Sequence, residues 1–234
     1  MLTLAEIAAA LARHGLLARG GFHPAAADGV PPLPTGKAAR TVVLVGNAGP
    51  AMWEHFRAVP EMDDGAPDAL DRWTRRVVDD IAVALGAVPL FPFGGPPYLP
   101  FQRWAMKAEP VHPSPIGMLI HPDYGLWHAY RGALAFSERL DLPPREDAPR
   151  PCDTCVEKPC LTTCPVGAFT RKGYDVPTCV RHLDTPAGTD CMGLGCRARR
   201  ACPVGQGHRY APAQAEFHML PFRRNALARL RSKI

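Results

Sequence analysis

Short apolar runs alternate with amphipathic segments over the first 140 residues of the chain. Apolar positions three and four residues apart predict a helix over 67–85. Continuous apolar runs predict buried strands at 41–45 and 128–136. A shorter strand is predicted at 116–121, and a turn at 122–125 joins it to the next strand. Because strands and helices alternate, we expect an α+β domain built in layers.

Three further segments have helical patterns. One is the apolar N-terminal segment over 1–17, the second is a short stretch near 102–107, and the third is an amphipathic stretch over 213–232. Between the first helix and the first strand, Gly and Pro concentrate in 20–37. We interpret that segment as a loop or an extended wrap.

A proline-rich junction divides the chain. The segment 142–151 is rich in proline and precedes every cysteine. We therefore predict two domains. The first is an α/β layer domain over 1–150. The second is a small cysteine-rich, ferredoxin-like domain over 151–234 that ends in the amphipathic helix.

The composition is that of a folded protein without a membrane span. Hydrophobic residues make up 47% of the chain, and no apolar run approaches the roughly 18 residues that cross a bilayer. The N-terminus carries Arg13 and lacks the basic stretch of a signal peptide, while Thr3 and Glu6 have capping-box spacing. We expect a cytoplasmic location, where thiols stay reduced and clustered cysteines bind metal or carry redox chemistry.

All eight cysteines lie between positions 152 and 202. Two of them, Cys164 and Cys202, are followed by proline. Eight thiols are the ligands of two [4Fe–4S] clusters, and in bacterial ferredoxins the cysteine before the proline binds the other cluster. With that interleaving, one cluster is held by Cys152, Cys155, Cys160 and Cys202. The other is held by Cys164, Cys179, Cys191 and Cys196.

Zinc and disulfides are the alternatives for these thiols. A Cys-x2-Cys pair with a later Cys-x3-Cys can close a tetrahedral zinc site. However, the first four and the last four cysteines in sequence order each end in Cys-Pro, and the first four do not separate into Cys-x2-Cys units. Small residues such as Gly193 and Gly195 flank the ligands, as close approach of the backbone to a bulky cluster requires. We therefore favour iron–sulfur clusters.

The positive charge of the chain suggests a nucleic-acid partner until the clusters are counted. The formal net charge is +5. Each oxidised cluster with its four thiolates carries about −2, so two clusters lower the net charge to about +1. The late basic residues, such as Arg197, Arg199 and Arg200, fit a solvated helix face and the shielding of anionic clusters. We do not expect a nucleic acid or a membrane as a partner.

The region 152–203 resembles the double-cluster module of the epoxyqueuosine reductases. In that family too, a ferredoxin run is followed by an isolated cysteine and a final Cys-Pro segment. The resemblance implies two [4Fe–4S] clusters that feed electrons to a cobalamin. In the family, that cobalamin serves the reduction of a tRNA base.

A second resemblance lies before the cysteines. The stretch Ile120-His-Pro-Asp-Tyr-Gly-Leu-Trp-His-Ala-Tyr-Arg-Gly-Ala-Leu134 is similar to the His-Pro-x-aromatic-Gly-x-Trp-x-x-x-Arg-Gly stretch of the CblC cobalamin-processing family. Phe22-His-Pro24 and the strand that leads to Trp53 match an earlier strand and helix of that family. The resemblance implies a nitroreductase-like fold that binds cobalamin base-off and removes its upper ligand. This chain departs from the family by carrying its own cysteine module.

The corrinoid contacts implied by this resemblance lie in the same stretch. A corrinoid is large and planar, so its pocket needs aromatic faces and a few polar anchors. The expected cofactor-binding residues are His121, Tyr124, Trp127, His128, Tyr130 and Arg131. Simpler roles stay open, since Trp127 also suits a core and His121 also suits the cap of a turn. Arg131 lies in an apolar strand and needs an anion or carbonyl partner, which favours a role facing the ligand.

Together these features predict an iron–sulfur oxidoreductase. Its clusters would take electrons from an external low-potential donor and pass them to a bound corrinoid, for cobalamin reduction or upper-ligand removal. One alternative is a ferredoxin-type electron-transfer protein without catalysis of its own. Another is a tRNA-modifying reductase like the epoxyqueuosine reductases. The oligomeric state and the final electron acceptor are not determined by the sequence.

Overall fold

The structure is a computed structural model that describes residues 2–170 and 172–231. Met1 and Ser232, which the sequence prediction includes in the first and last helices, lie outside the described residues. Within the described ranges, no helix combines the length and the apolar character needed to cross a membrane.

The chain divides into two compact units. Unit 1 contains the described residues up to Val111 together with His128–Ala148. Unit 2 contains His112–Trp127 together with the described residues from Pro149 onward. The sequence prediction assigns 112–127 to the first domain, whereas the structure groups this segment with the cysteines.

Unit 1 has the longer strands, and unit 2 has two-residue hairpin strands, several short helices and one helix of 20 residues near its end. The strands are β1 (Leu17–Phe22), β2 (Thr41–Ala48), β3 (Val88–Leu90), β4 (His112–Pro113), β5 (Leu119–Ile120), β6 (His128–Phe136), β7 (Phe169–Thr170) and β8 (Gly173–Tyr174). The helices are α1 (Leu4–Ala12), α2 (Ala51–Phe56), α3 (Pro60–Asp63), α4 (Ala69–Leu85), α5 (Phe101–Ala108), α6 (Pro151–Thr154), α7 (Pro159–Thr162), α8 (Val176–Leu183), α9 (Thr189–Leu194), α10 (Arg197–Arg200) and α11 (Pro212–Arg231).

Unit 1 is built on a four-stranded antiparallel sheet. Its strand order is β1-β2-β6-β3. The centre of β2 is buried because the run Val42–Val45 is apolar on both faces. Helix α4 packs on β3 and β6, and α5 packs on β1 and β2. The predicted mixture of sheet and helices, an α+β architecture, is confirmed.

Strand β1 differs from the sequence prediction. The pattern predicts a helix up to residue 17 and a loop from residue 20, whereas Leu17–Phe22 form a strand paired with β2. Phe22 is buried, with its ring centroid 6.2 Å from that of Trp104 in α5. The two adjacent glycines at 20 and 21 have low strand propensity, and pairing with β2 and burial against α5 override it.

The predicted strand at 116–121 is wrong in extent and in pairing. Only Leu119–Ile120 form a strand, and β5 pairs with β4 rather than with β6. Gly117 has a φ of +82°, which lies outside the strand region. His121 pairs instead with Gly125 through an isolated bridge that closes the predicted turn. The apolar run therefore serves a short hairpin of unit 2 and not the sheet of unit 1.

Apolar side chains from 112–127 complete a core of unit 2. The buried residues of this core are Ile116, Ile120, Leu126, Cys152, Cys160, Ala198 and Cys202. Around it, α7 packs against α10, and α11 packs against α8 and α9. Strands β7 and β8 form a second short hairpin. Apolar contact with cysteine side chains thus holds 112–127 in this unit. The local apolar pattern of 116–121 carries no information about these contacts, because they involve residues distant in sequence.

Candidate metal centres

Four of the thiols line one cavity of unit 2. These are Cys152, Cys155, Cys160 and Cys202, called here the first thiol quartet. Pro151 and Pro159 begin α6 and α7, where proline is well tolerated, and each is followed directly by a cysteine. Cys202 is distant in sequence and follows α10, which packs on α7. Helix packing therefore brings the late cysteine to the three early ones.

The other four thiols line a second cavity of the same unit. These are Cys164, Cys179, Cys191 and Cys196, called here the second thiol quartet. The cavity has a volume of about 560 Å³, against about 20 Å³ for the cavity of the first quartet. The two quartets are the two sets that interleaved ligation predicts.

Backbone N–H groups donate to sulfur in the second quartet. The amide of Ala168 donates to Cys164 Sγ over 3.3 Å. The amides of Ala198 and Arg199, at the start of α10, donate to the sulfur of Cys196. Such donors favour the thiolate over the thiol, and the thiolate is the form that binds metal.

Burial raises the pKa of several thiols above the ordinary value of 9.0. This holds for Cys152, Cys160, Cys179, Cys196 and Cys202. Neighbouring thiolates of the same quartet add to the rise, as Cys202 and Cys152 do for Cys160. Four thiolates in one cavity repel one another, so a quartet is stable either when it is protonated or when metal compensates the charge. Metal must displace these protons, so the affinity for metal rises with pH.

The donor sets fit two [4Fe–4S] clusters. Four thiols for each cavity is the ligand number of one cluster, and the N–H donors suit an anionic group. Among the described residues, no three His, Cys, Asp or Glu side chains converge closely enough to hold a single metal ion. In a cubane cluster the four thiolates bind four different irons, so they lie farther apart than the ligands of one ion.

Three of the six predicted corrinoid contacts lie in unit 2. Nδ1 of His121 accepts the backbone N–H groups of Asp123 and Tyr124 at 3.0 and 3.3 Å. The rings of His121 and Tyr124 stack with centroids 4.3 Å apart. His121 therefore caps a turn, which is the simpler role left open by the sequence. Trp127 is buried and lines the cavity of the second quartet.

The other three predicted contacts lie in unit 1, where they contact protein groups. Nδ1 of His128 lies 3.3 Å from a guanidinium nitrogen of Arg19. The Tyr130 hydroxyl donates to the Glu109 carboxylate. Burial, followed by the charge of Glu109, raises the pKa of Tyr130, so the phenol stays protonated at neutral pH.

Arg131 lies at a bulge of β6 and forms an ion pair with Asp71 of α4, with 3.7 Å between nitrogen and oxygen. Burial raises the pKa of Asp71, and the charge of Arg131 opposes that rise. The anion that a guanidinium in an apolar strand requires is thus supplied in part by the protein itself.

Arg19 and Glu109 form a buried ion pair that sequence reasoning missed. Arg19 is 2% exposed, and its Nη2 lies 2.7 Å from a Glu109 carboxylate oxygen. Its Nε donates to the other oxygen at 3.1 Å, and its Nη1 donates to the Asn47 carbonyl at 3.1 Å. The sequence feature that could have indicated this pair is a lone arginine within Leu17–Phe22. The glycines of that segment favour the prediction of a loop, so the arginine was not considered.

Comparison with protein-family models finds no match for this chain. Comparison with curated proteins finds no match either.

Solved structures similar to this chain include members of both families that its motifs resemble. The B12-trafficking protein CblC of C. elegans, a homologue of human MMACHC, is 16% identical, with a TM-score of 0.51. The similarity covers 92% of this chain and 90% of CblC. At this identity it establishes the fold alone.

Two epoxyqueuosine reductase structures are also similar to this chain. The enzyme from Streptococcus thermophilus is 14% identical over 76% of this chain and 53% of its own, with a TM-score of 0.48. A second, in complex with a tRNA-Tyr stem loop, is 18% identical over 77% of this chain and 52% of its own, with a TM-score of 0.46. The chain thus spans about half the length of these reductases. Because both TM-scores lie below 0.5, neither similarity carries weight for the function of this chain.

Proposed function

We propose that this protein is an iron–sulfur oxidoreductase in which two [4Fe–4S] clusters deliver single electrons to a corrinoid held by unit 1. The division of eight thiols into two sets of four, each around its own cavity, carries the proposal. The choice of a corrinoid is supported by the motif at 120–134 and by the fold similarity to CblC, which is named as a B12-trafficking protein.

The residues of unit 2 hold and protect the clusters in this proposal. The two thiol quartets are the ligands, and the clusters supply one-electron transfer at low potential when bound. Amide groups such as that of Ala168 stabilise the thiolates. The apolar side chains of Ile116, Ile120 and Leu126 cover the first quartet and exclude water from it.

In unit 1 we assign the corrinoid contacts to His128, Tyr130 and Arg131. The buried Arg19–Glu109 pair fixes the positions of His128 and Tyr130. The Tyr130 hydroxyl donates its one hydrogen to Glu109, so toward a corrinoid its oxygen acts as an acceptor for the N–H groups of the amides at the corrinoid edge. The electrons would come from an external low-potential donor in the reducing cytoplasm.

Anaerobic reconstitution followed by titration with cob(II)alamin tests this proposal. We expect about eight irons per chain, the content of two clusters. We also expect binding in the micromolar range with a base-off absorption spectrum. Full iron content without any spectral change would leave an electron-transfer protein that lacks a corrinoid. If the reconstituted protein reduces epoxyqueuosine in a tRNA stem loop, its activity is tRNA modification instead.

Serine substitutions test the assignment of ligands to the two clusters. If ligation is interleaved, Cys164→Ser and Cys179→Ser remove the same EPR signal, although Cys164 lies only four residues from Cys160. Cys152→Ser and Cys202→Ser should remove the other signal. The measurement is the EPR spectrum of the dithionite-reduced protein, with iron content as a check. A Cys164→Ser spectrum that matches Cys152→Ser would overturn the interleaving.

A further inference from the structure

The cavity of the second thiol quartet has a mainly aromatic and apolar wall. Its lining includes Trp127, Phe169, Tyr174, Met219 and Phe222 beside the four thiols. A wall of this kind offers a bound group few hydrogen bonds. Any polar hydrogen that faces this cavity therefore has a strong effect on what binds there.

Trp127 lines this cavity, and its indole ring carries one polar hydrogen, on Nε1. Trp127 is 2% exposed, and its Nε1–H has no hydrogen-bond partner among the described residues. An indole nitrogen can only donate, so this N–H requires an acceptor. The ring of His182 lines the same cavity, and its Nε2 is likewise without a partner within the described part of the chain. His182 Nε2 can donate or accept according to its tautomer, whereas the Trp127 N–H can only donate, so an occupant that accepts a hydrogen bond would satisfy the indole.

Neighbours within unit 2 fix the orientation of the Trp127 ring. The guanidinium of Arg199 lies over the Trp127 ring and over the Tyr210 ring, 4.4 Å from each centroid. Arg199 also donates through Nε and Nη2 to the carbonyl oxygen of Leu126 at 3.0 and 2.7 Å. Arg199 therefore holds both the backbone of Leu126 and the face of the Trp127 ring. The indole is a preorganised donor rather than a mobile one.

We propose that Trp127 donates its indole N–H to a sulfur atom of the cluster held by the second thiol quartet, and so raises the reduction potential of that cluster. Sulfides and thiolates are hydrogen-bond acceptors, and reduction adds negative charge to them. A donor aimed at them therefore stabilises the reduced cluster more than the oxidised one. The inference rests on the proposed function, because it requires that cluster. In this proposal Trp127 contacts the cluster itself and tunes its potential.

The substitution Trp127→Phe tests the inference, because it keeps an aromatic ring beside Arg199 and removes the N–H. We expect unchanged iron content and a lower midpoint potential for the second-quartet cluster alone, measured by EPR-monitored redox titration. The signal of that cluster is the one that Cys164→Ser removes. The matched control is Trp104→Phe in unit 1, where the indole donates to the Asp28 carbonyl at 2.8 Å. The control should shift neither potential.

Two outcomes would overturn the inference in distinguishable ways. If the wild-type protein forms no second cluster, the proposed function fails and the inference fails with it. If both clusters form and Trp127→Phe leaves the second potential unchanged, only the inference fails.

A measurement on the wild-type protein covers the case in which Trp127→Phe does not fold. Trp127 is the one tryptophan in the sequence of unit 2. With ¹⁵N-indole tryptophan, pulsed EPR of the reduced protein should detect a ¹⁵N coupling on the second-cluster signal. Its absence would contradict the hydrogen bond.

Discussion

At the scale of single residues, the guanidinium of Arg19 is the buried charge around which the polar groups of unit 1 collect. It contacts the Glu109 carboxylate, the Asn47 carbonyl and Nδ1 of His128, and it lies 5.0 Å from the centre of the Tyr130 ring. A buried charge of this kind is tolerated only while its partners remain in place. The Arg19–Glu109 pair therefore holds His128 and Tyr130, two of the proposed corrinoid contacts, in place.

Substitution of Arg19 by methionine should destabilise unit 1 strongly. It leaves the Glu109 carboxylate buried without its partner, which costs about 3–5 kcal/mol in the free energy of unfolding. The measurement is urea denaturation followed by circular dichroism. The double variant Arg19→Met/Glu109→Gln should recover part of the loss, because it removes the unpaired charge.

The matched control for this substitution is Arg57→Met. Arg57 pairs with Glu54 on the surface, where the side chains are 60% and 57% exposed. Loss of an exposed pair should cost about 0.2–1 kcal/mol. Equal destabilisation by Arg19→Met and Arg57→Met would show that the buried pair has no special role.

At the scale of elements, the turn at 121–125 lies directly against the segment after Cys202. Gly125 has a φ of +56°, and a Cβ atom built on it would lie 2.0 Å from the Val204 carbonyl oxygen. Gly205 is equally close to the turn, since its Cβ would lie 2.4 Å from the Tyr124 carbonyl oxygen. The backbone of the turn and the backbone of Val204–Gly205 are therefore in direct contact. Val204 lies two residues after Cys202, a thiol of the first quartet. The turn therefore helps to position Cys202.

Gly125→Ala should displace Cys202 and reduce the iron bound by the first quartet. The new methyl group cannot avoid the Val204 backbone, and the left-handed conformation adds about 1–2 kcal/mol for any residue with a Cβ. Iron content should fall by up to half, and the remaining EPR spectrum should resemble that of Cys152→Ser. Iron analysis and EPR after reconstitution provide the test.

Gly117→Ala is the control for this prediction. Gly117 also has a positive φ, +82°, but its Cβ would meet nothing within 4 Å. This variant should lose some stability and keep its full iron content. If Gly125→Ala retains as much iron as Gly117→Ala, the contact between the turn and the Cys202 segment does not position the thiol.

At the scale of the whole molecule, the cysteine-containing unit is discontinuous in sequence. Residues 112–127 belong to it, although 128–148 return to unit 1. Ile116, Ile120 and Leu126 are buried against Cys152 and its neighbours in the core of unit 2. The region from 149 onward therefore lacks part of its own apolar core when it is taken alone.

A shortened chain that begins at Pro149 should bind clusters poorly. Its first quartet loses the cover of 112–127, so water reaches the thiols and the clusters decompose faster in air. A second chain, in which a Gly/Ser linker joins residues 112–127 to Pro149, should restore iron content and lifetime. The measurements are iron per chain after reconstitution and the decay of the cluster absorbance in air. Equal behaviour of the two shortened chains would contradict the role of 112–127.

Part of the fold and part of the candidate site can be predicted from local sequence patterns. Strand β6 has the predicted bounds 128–136, and α4 covers 69–85 of the predicted 67–85. In both, the apolar pattern identifies the element, because a continuous apolar run indicates a buried strand and apolar positions three and four residues apart indicate an amphipathic helix. Strand β1 was not predicted, since its glycines have low strand propensity and only pairing with β2 makes it a strand.

The sequence by itself determined the type and number of the candidate metal ligands and the likeness to two cobalamin-related families. Ligand chemistry depends on residue identity and spacing, and both are local. The tertiary structure decided which four thiols share a cavity, that 112–127 covers cysteines rather than extending a sheet, and that Arg19 meets Glu109 across 90 positions. Burial and ion pairing join residues that are distant in sequence, so no local pattern reports them.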